Sequence, residues 1–366
     1  MRSGGFVGRS AELQRLDALL ATVRGKRRDL PGIAVLLRGR RRVGKSRLIQ
    51  VFCEQAAAPS VYFQASQGAT SAAERATFVE AILDSELPGR QLFAEGVTWP
   101  SWAALFRQLA SALPDDAASV VVIDELPWLL ESDPALEGVL QTAWDTLLAH
   151  KPVLLVLIGS DLAMMERLDD YRRPFHQRGT VMALPALNPA EVGAMLNLSA
   201  ADAIDAYLAT GGLPLICQEW NPAQSLDEFL GSSLADPTSA LLVSGERSLA
   251  AEFPSRLQAS TVLTAIGGGE HGWSGIRGAS SSGAAPIAAS SLTNALRLLE
   301  AKRVIGVDVP LCTGRPELED VGGWWNRQTN SEIDLVGTGR GSGGGRVFCR
   351  QHKMADQPSI RTPRLR

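Results

Sequence analysis

Short apolar runs alternate with helical stretches over the first half of the chain. Apolar residues follow one another without a polar break at 33–37, 61–63, 120–123, 153–158 and 181–184. Such runs, with no alternation of polar and apolar positions, are typical of strands buried on both faces. Helical spacing separates them at 45–57, in parts of 72–113 and at 135–150. The pattern predicts an α/β fold with a parallel sheet covered by helices on both faces.

A helix precedes the first strand, and helices dominate after residue 188. Ser10 is a candidate N-cap for the first helix, and a basic linker at 25–29 follows it. The later predicted helices are 190–196, 201–209, 257–266 and 292–301. A Gly/Ser/Ala-rich stretch, 267–291, separates the last two, and a strand-like run at 304–307 follows them. Helix, loop, helix and strand in this order are typical of a winged helix-turn-helix, whereas the tail 338–366 is predicted to be disordered.

Bulk composition excludes several classes of protein. Of the 366 residues 45% are hydrophobic and the net charge is −3, so the chain has a core and is no polycation. The four cysteines lie far apart, which argues against a zinc site or a disulfide framework. The N-terminus lacks a signal pattern, and the apolar runs are far shorter than the roughly 20 residues of a membrane helix. We expect a cytoplasmic protein with no membrane partner.

Residues 39–46, GRRRVGKS, lie between the first predicted strand and the next helix. They match GxxxxGK[ST] at every fixed position, in the strand–loop–helix context of a phosphate-binding loop. Backbone N–H groups and the helix N-terminus would face the phosphates, the lysine would reach the β- and γ-phosphates, and the serine would ligate Mg²⁺. The arginines at 40–42 also have a simpler interpretation as solvated surface charge. The predicted nucleotide-binding residues here are Gly39, Arg40, Arg41, Arg42, Val43, Gly44, Lys45, Ser46 and Arg47.

Two acids follow the third predicted strand. Asp124 is predicted to hold Mg²⁺ through water, opposite Ser46, and Glu125 to orient and deprotonate the attacking water. Taken alone, an Asp-Glu pair after a strand is more simply a helix cap, but the upstream phosphate loop favours the catalytic interpretation. The second carboxylate favours water as the nucleophile. The motifs therefore predict hydrolysis of a nucleoside triphosphate with Mg²⁺.

Several motifs, in order, resemble the prokaryotic archaeal-type ATPases of the AAA+/STAND group of P-loop NTPases. They are FVGR at 6–9, the loop 39–46, VIDE at 122–125, IGS at 158–160, PFHQR at 174–178 and GGLP at 211–214. The resemblance covers residues 5–335 and implies a doubly covered parallel sheet of the AAA+ type, followed by a helical and winged-helix region.

The resemblance also implies roles for single residues. The loop Phe6, Val7, Gly8 and Arg9 would border the adenine. Ser160 would be the polar sensor near the γ-phosphate, or would simply cap its strand. Arg178 would stabilise transition-state charge, in cis or across a subunit interface, or would be an ordinary surface arginine. Pro214 would link the nucleotide state to the helical parts, or would only end a helix.

The C-terminal part departs from the family. Relatives resemble restriction nucleases there, and GGWWNR at 322–327 and EIDLV at 332–336 match their tryptophan-rich segment and acidic strand. The stretch before Trp324 is short, however, and the strand expected after Val347 is missing. Met354-Ala355 must be encoded ATG-GCN, which reads as tryptophan one base on, and we hypothesise a frameshift near residue 347. We therefore expect no nuclease activity from Glu332 and Asp334.

The predicted division has five parts. They are an ATPase core at 1–187, a lid-like helical segment at 188–240, a winged-helix-like region at 241–312, a nuclease-like remnant at 313–337 and a tail at 338–366. The leading hypothesis is a Mg²⁺-dependent ATPase that drives a conformational switch, with an oligomer and a DNA or protein client as further expectations. One alternative is a DNA-associated regulator that contacts phosphates through Arg277, Arg297, Lys302 and Arg303. Another is a degenerate ATP-binding relative without catalysis.

Overall fold

The chain forms two compact units, residues 1–248 and residues 249–366. The computed structural model describes residues 6–25, 30–93, 97–168, 170–244, 256–280, 287–301, 304–306, 318–326, 332–339 and 352–353. Among these residues, no helix has both the length and the apolar character needed to span a bilayer.

A five-stranded parallel sheet organises the first unit. Its strands are β1 (Ile33–Arg38), β2 (Ser60–Gln64), β3 (Ser119–Asp124), β4 (Val153–Gly159) and β5 (Gly179–Ala183). Their order in space is β2-β3-β4-β1-β5, so β4 lies between the strand before the phosphate loop and the strand that ends in Asp124. The α/β fold with a parallel sheet of the P-loop type is confirmed.

Helices cover both faces of this sheet, because its central strands are apolar on both sides. Along β1, Ala34 and Leu36 join one core cluster, while Val35 and Leu37 join the other. The first seven helices are α1 (Ser10–Arg24), α2 (Lys45–Gln55), α3 (Ser71–Leu83), α4 (Trp102–Ala112), α5 (Leu126–Ser132), α6 (Leu136–Thr146) and α7 (Leu162–Leu168).

A helical segment follows β5 and has a small core of its own around Val192, Trp220 and Phe229. Capping boxes begin two of its helices, with Asn188 paired to Glu191 and Ser225 paired to Glu228. Its helices are α8 (Pro189–Leu196), α9 (Ala200–Thr210), α10 (Pro214–Cys217) and α11 (Leu226–Ala235), and residues 240–244 are also helical.

Three helices of the second unit share another core, which includes Val262, Ile276 and Leu292. They are α12 (Arg256–Gly267), α13 (Trp273–Ala279) and α14 (Ala289–Ala301). A separate antiparallel sheet consists of β6 (Leu318–Asn326), β7 (Glu332–Gly339) and β8 (His352–Lys353). Lys302, Arg303 and the reading-frame signature at 354–355 lie outside the described residues, and the predicted domain boundaries stay predictions.

Several expectations about local structure were wrong. The first helix begins at Ser10 itself, and Arg9, with φ 60°, occupies the N-cap position. The glycine-rich stretch 267–291 contains α13, whose Ile276 packs into the core of the unit. Residues 304–306 form no strand, because the N–H groups of Val304 and Ile305 bond to Leu299 O and close the end of α14.

Two short stretches of the predicted tail lie within the described residues. β7 ends at Gly339, and His352 and Lys353 pair with the start of β7 as β8. The disordered tail at 338–366 and the missing nuclease strand with its acid and lysine stay predictions.

Candidate nucleotide-binding site

The loop between β1 and α2 has the backbone that its glycines permit. Gly44 occupies the N-cap position of α2 with φ 93°, a left-handed conformation that costs other residues about 1–2 kcal/mol. At Gly39 a Cβ atom would lie 2.5 Å from the backbone oxygen of Leu184. Gly44 therefore permits the turn, and Gly39 permits the close approach of two backbone segments.

Lys45 lies inside this loop. Its ammonium group donates to Gly39 O at 2.8 Å and to Arg40 O at 3.0 Å, and the residue is only 6% exposed. The first residue of α2 thereby turns its charge towards the loop, where the helix N-terminus also favours an anion. The ammonium group of Lys45 thus lies at the loop, and its phosphate-binding role stays a prediction.

Asp124, one of the two predicted magnesium ligands, is bound by a tyrosine. It is fully buried, and its Oδ2 accepts a hydrogen bond from the Tyr62 hydroxyl at 2.6 Å. Its Oδ1 accepts from the N–H of Glu125 at 2.9 Å. The magnesium role of Asp124 and Ser46 stays a prediction.

The electrostatics of Tyr62 follow from this position. Burial raises the pKa of the Tyr62 phenol well above its ordinary value, the charge of Asp124 raises this pKa further, and the hydrogen bond with Ser46 opposes the shift. The phenol is therefore a neutral hydroxyl at physiological pH. It donates to Asp124 without adding a second negative charge.

The donor set around Tyr62 fits Mg²⁺. A serine hydroxyl and a carboxylate are hard oxygen ligands, and Mg²⁺ is typically bound by one or two protein oxygens together with substrate phosphates and water. Within the described ranges no three His, Cys, Asp or Glu side chains are grouped to hold a metal by themselves. Phosphate oxygens would have to complete the coordination of an ion held by Ser46 and Asp124.

Glu125 and Ser160 are also brought together, from the ends of neighbouring strands. Glu125 Oε2 accepts from Ser160 Oγ at 2.8 Å and from Ser160 N at 3.4 Å. Glu125 has φ 54°, a conformation that non-glycine residues rarely adopt, and it precedes α5. Such strained positions cluster at functional sites. Ser160 is only 6% exposed, and its hydrogen bond orients the Glu125 carboxylate.

Arg9 connects the N-terminal loop to the phosphate loop. Its guanidinium donates to Val43 O at 3.1 Å and to Pro185 O at 2.7 Å, and its backbone N–H donates to Glu191 Oε1 at 3.0 Å. Gly8 lies beside the same carboxylate, because a Cβ there would be 2.9 Å from Glu191 Oε1. These residues are parts of one junction between α1, the phosphate loop and α8.

A cavity of about 620 Å³ lies at this junction. Gly8 and Arg9 line it together with residues 185–191 and Tyr207. Phe6 instead packs against the core cluster that contains Leu48 and Ile49. The adenine-bordering role of the loop 6–9 stays a prediction, with Gly8 and Arg9 at the cavity and Phe6 against the core.

The other arginines of the phosphate loop differ from one another. Arg42, with φ 66°, donates to Ser244 Oγ at 2.6 Å, so it is more than solvated charge. Arg47 is exposed and pairs with Glu54 at 3.2 Å. Arg40 and Arg41 are half-buried. Only Arg42 links the loop to the end of the helical segment.

Arg178 is bound elsewhere. It makes a two-fold ion pair with Asp145 of α6, with distances of 2.7 Å and 2.8 Å, and it also donates to Pro174 O at 2.8 Å. Its neighbour Arg173 pairs with Glu137 on the same helix. The structure therefore does not place Arg178 with Lys45 and Glu125, and its catalytic role stays a prediction.

Two residues of the site had no signal of their own in the sequence. Tyr62 is one residue of an apolar strand, and Glu191 reads as the third residue of a capping box.

Pro214 was predicted from the GGLP motif alone, and its Cγ lies 4.0 Å from the position of a Cβ on Gly44. This contact places that motif against the phosphate loop.

Residues 5–156 match the family described as AAA ATPase domain. The chain carries an AAA ATPase domain. Among solved structures, the Walker-type ATPase of Pyrococcus abyssi is 18% identical, over 81% of this chain and 90% of that one, with a TM-score of 0.57. The Orc1 protein of Aeropyrum pernix, solved in complex with DNA, is 18% identical over 82% of this chain and 84% of its own, with a TM-score of 0.41. No curated protein matches the chain.

The AAA ATPase domain contains the phosphate loop and the acids of β3, and the family match to it confirms the prediction of a P-loop ATPase. The match to the Pyrococcus abyssi structure covers 81% of this chain, so the similarity in fold between the two chains extends beyond residue 156. The roles of individual residues in this AAA ATPase domain stay predictions.

Proposed function

We propose that this AAA ATPase domain binds ATP with Mg²⁺, hydrolyses it with Glu125 as the base, and thereby switches the contacts between the phosphate loop and the helical segment 188–244. The observation that carries the proposal is the placement of Asp124 and Glu125 at the end of β3, where Tyr62 binds Asp124 and Ser160 binds Glu125.

Binding would begin with the exchange of partners at Lys45. Its ammonium group now donates to two carbonyl oxygens of the loop, and phosphate oxygens are stronger acceptors for a cation. The N–H groups at the start of α2 would face the same phosphates. When bound, Mg²⁺ would neutralise charge on the β- and γ-phosphates. Ser46 and Asp124 would hold the ion.

Hydrolysis needs a base beside the γ-phosphate. Ser160 engages Oε2 of Glu125 and orients the carboxylate, so that Oε1 is the oxygen to accept a proton from water. The water oxygen bonds to the γ-phosphorus, the bond from that phosphorus to the bridging oxygen breaks, and ADP leaves.

The switch follows from what touches the loop. Val43 O is bound by Arg9, Arg42 donates to Ser244, and Pro214 lies next to Gly44. Arg9 also contacts Pro185 and Glu191, so all three contacts connect the phosphate loop with the helical segment 188–244 or with Pro185 just before it. A bound phosphate that changes the conformation of the loop therefore changes the contacts of this segment.

Nucleotide binding and turnover of matched variants test the proposal. Lys45→Ala should abolish ATP binding, because it removes the only lysine of the loop. Glu125→Gln should retain binding but hydrolyse ATP at least about 100-fold more slowly, the typical worth of general-base catalysis. Glu131→Gln, at an exposed acid six residues further along the chain on α5, is the control and should behave as wild type. Equal hydrolysis by all of them would refute the mechanism.

A DNA-associated regulator is the second candidate function. Support comes from α12–α14, which pack as a helical unit and expose Arg277 and Arg297, with the Arg277 guanidinium over the Trp273 ring at 5.5 Å. If both arginines contact phosphates, the Arg277→Ala/Arg297→Ala variant of the full chain should reduce the slope of log affinity against log salt by about 2. Arg15→Ala is the control and should retain the wild-type slope. An unchanged slope in the Arg277→Ala/Arg297→Ala variant would refute the DNA-associated function.

A further inference from the structure

The Tyr62 hydroxyl contacts Asp124, one of the two predicted magnesium ligands. A phenol has one proton to donate, and carboxylate oxygens accept. The Tyr62 hydroxyl therefore donates to Asp124 Oδ2, at 2.6 Å.

The fold provides this bridge through strand pairing. β2 lies next to β3, and their register sets Tyr62 opposite Val122, two residues before Asp124. The tyrosine ring packs at the edge of the core cluster that contains α2, whose second residue is Ser46. The hydroxyl thus reaches Asp124 from the neighbouring strand. A phenylalanine would fill the same space without the hydrogen bond.

We propose that Tyr62 is a positioning residue for the metal site. By donating to Asp124 Oδ2 it orients the carboxylate towards the ion. This inference rests on the proposed function, because it assigns Tyr62 to the Mg²⁺ of the same nucleotide.

The opposite role makes the opposite prediction. If the Tyr62 hydroxyl occupied the position of the ion, its removal would strengthen the effect of Mg²⁺ on nucleotide binding. If it positions the ligands, its removal weakens that effect and leaves binding without Mg²⁺ unchanged, because Lys45 and the loop N–H groups do not depend on it. The sign of the change distinguishes the two.

The test measures the affinity of a non-hydrolysable ATP analogue with Mg²⁺ and with EDTA, in the full chain. The ratio of the two affinities is the Mg²⁺ effect. Tyr62→Phe should lower this ratio about tenfold, which corresponds to one hydrogen bond to a charged group. Tyr171→Phe, at a tyrosine that is 69% exposed, is the matched control and should retain the wild-type ratio. Thermal unfolding of both variants checks that they fold.

A second substitution separates positioning from a general loss of packing. Asp124→Asn should lower the Mg²⁺ effect by itself, and adding Tyr62→Phe should lower it no further, because Tyr62 acts through Asp124. An unchanged or increased ratio in Tyr62→Phe would overturn the inference, and so would an equal further loss in the Asp124→Asn background. In either case a wild-type chain that responds to Mg²⁺ keeps the proposed function. A wild type without any Mg²⁺ effect would refute both.

Discussion

Arg9 offers the sharpest test of how the AAA ATPase domain is held together. The residue is 3% exposed, and its guanidinium donates to Val43 O and Pro185 O and pairs with Glu12 at 3.4 Å. A hydrogen bond to a charged group contributes about 1.5–3 kcal/mol, and the two carbonyls lose theirs together. Arg9→Ala should therefore lower the free energy of unfolding of this unit by about 3–5 kcal/mol.

The backbone of Arg9 adds a second, smaller expectation. With φ 60°, an alanine there keeps the left-handed cost, whereas a glycine does not. Arg9→Gly should consequently be less destabilising than Arg9→Ala by about 1 kcal/mol. Both variants lack the guanidinium, so the difference between their free energies of unfolding reports on the backbone conformation at residue 9 alone.

Urea unfolding followed by tryptophan fluorescence measures these differences. Arg15→Ala is the control, since Arg15 is exposed on the same helix, and it should change the free energy by less than about 0.5 kcal/mol. If Arg9→Ala unfolds at the same urea concentration as Arg15→Ala, the guanidinium does not join these segments and the reasoning is wrong. A loss of ATP affinity without a loss of stability would equally contradict it.

Two further predictions concern a glycine and a buried acid. Gly39→Ala should destabilise the domain by about 1–3 kcal/mol, because its Cβ would meet Leu184 O at 2.5 Å, whereas Gly138→Ala in α6, with open space around it, should stabilise by about 0.5–1 kcal/mol in the same unfolding assay. Burial raises the pKa of Glu74, so stability falls as pH rises from the ordinary pKa of the carboxyl through its raised one. Glu74→Gln should therefore gain stability relative to wild type over that window in unfolding measured against pH, and Glu80→Gln should not; parallel curves would contradict this.

The strands and the phosphate loop could be predicted because their signals are local. Each of the five apolar runs corresponds to one of β1–β5 with ends that differ by at most two residues. Burial on both faces explains the runs of β1, β3 and β4. The edge strands β2 and β5 are less buried than their runs indicated. The motif 39–46 specifies a turn and a helix start within eight residues. The acids of β3 follow their strand directly.

Local signals misled where the surroundings decide. Gly- and Ser-rich composition indicated a loop over 267–291, but Trp273 to Ala279 is helical because Ile276 has a core to enter. Val304 and Ile305 read as a strand, yet no partner strand lies beside them in the described residues and they close a helix instead. Ser10 has the side chain of an N-cap, but Arg9 is held by bonds to distant carbonyls.

The sequence by itself determined the phosphate loop, the acids that follow β3 and the alternation of strands and helices, since each depends on neighbours within a few residues. The tertiary structure alone decided the strand order that brings Glu125 to Ser160, the bond from Tyr62 to Asp124, 62 residues apart, and that from Arg9 to Pro185, 176 residues apart. It also decided that Arg178 pairs with Asp145. Contacts of this separation depend on which surfaces the whole core buries, and no short pattern encodes that choice.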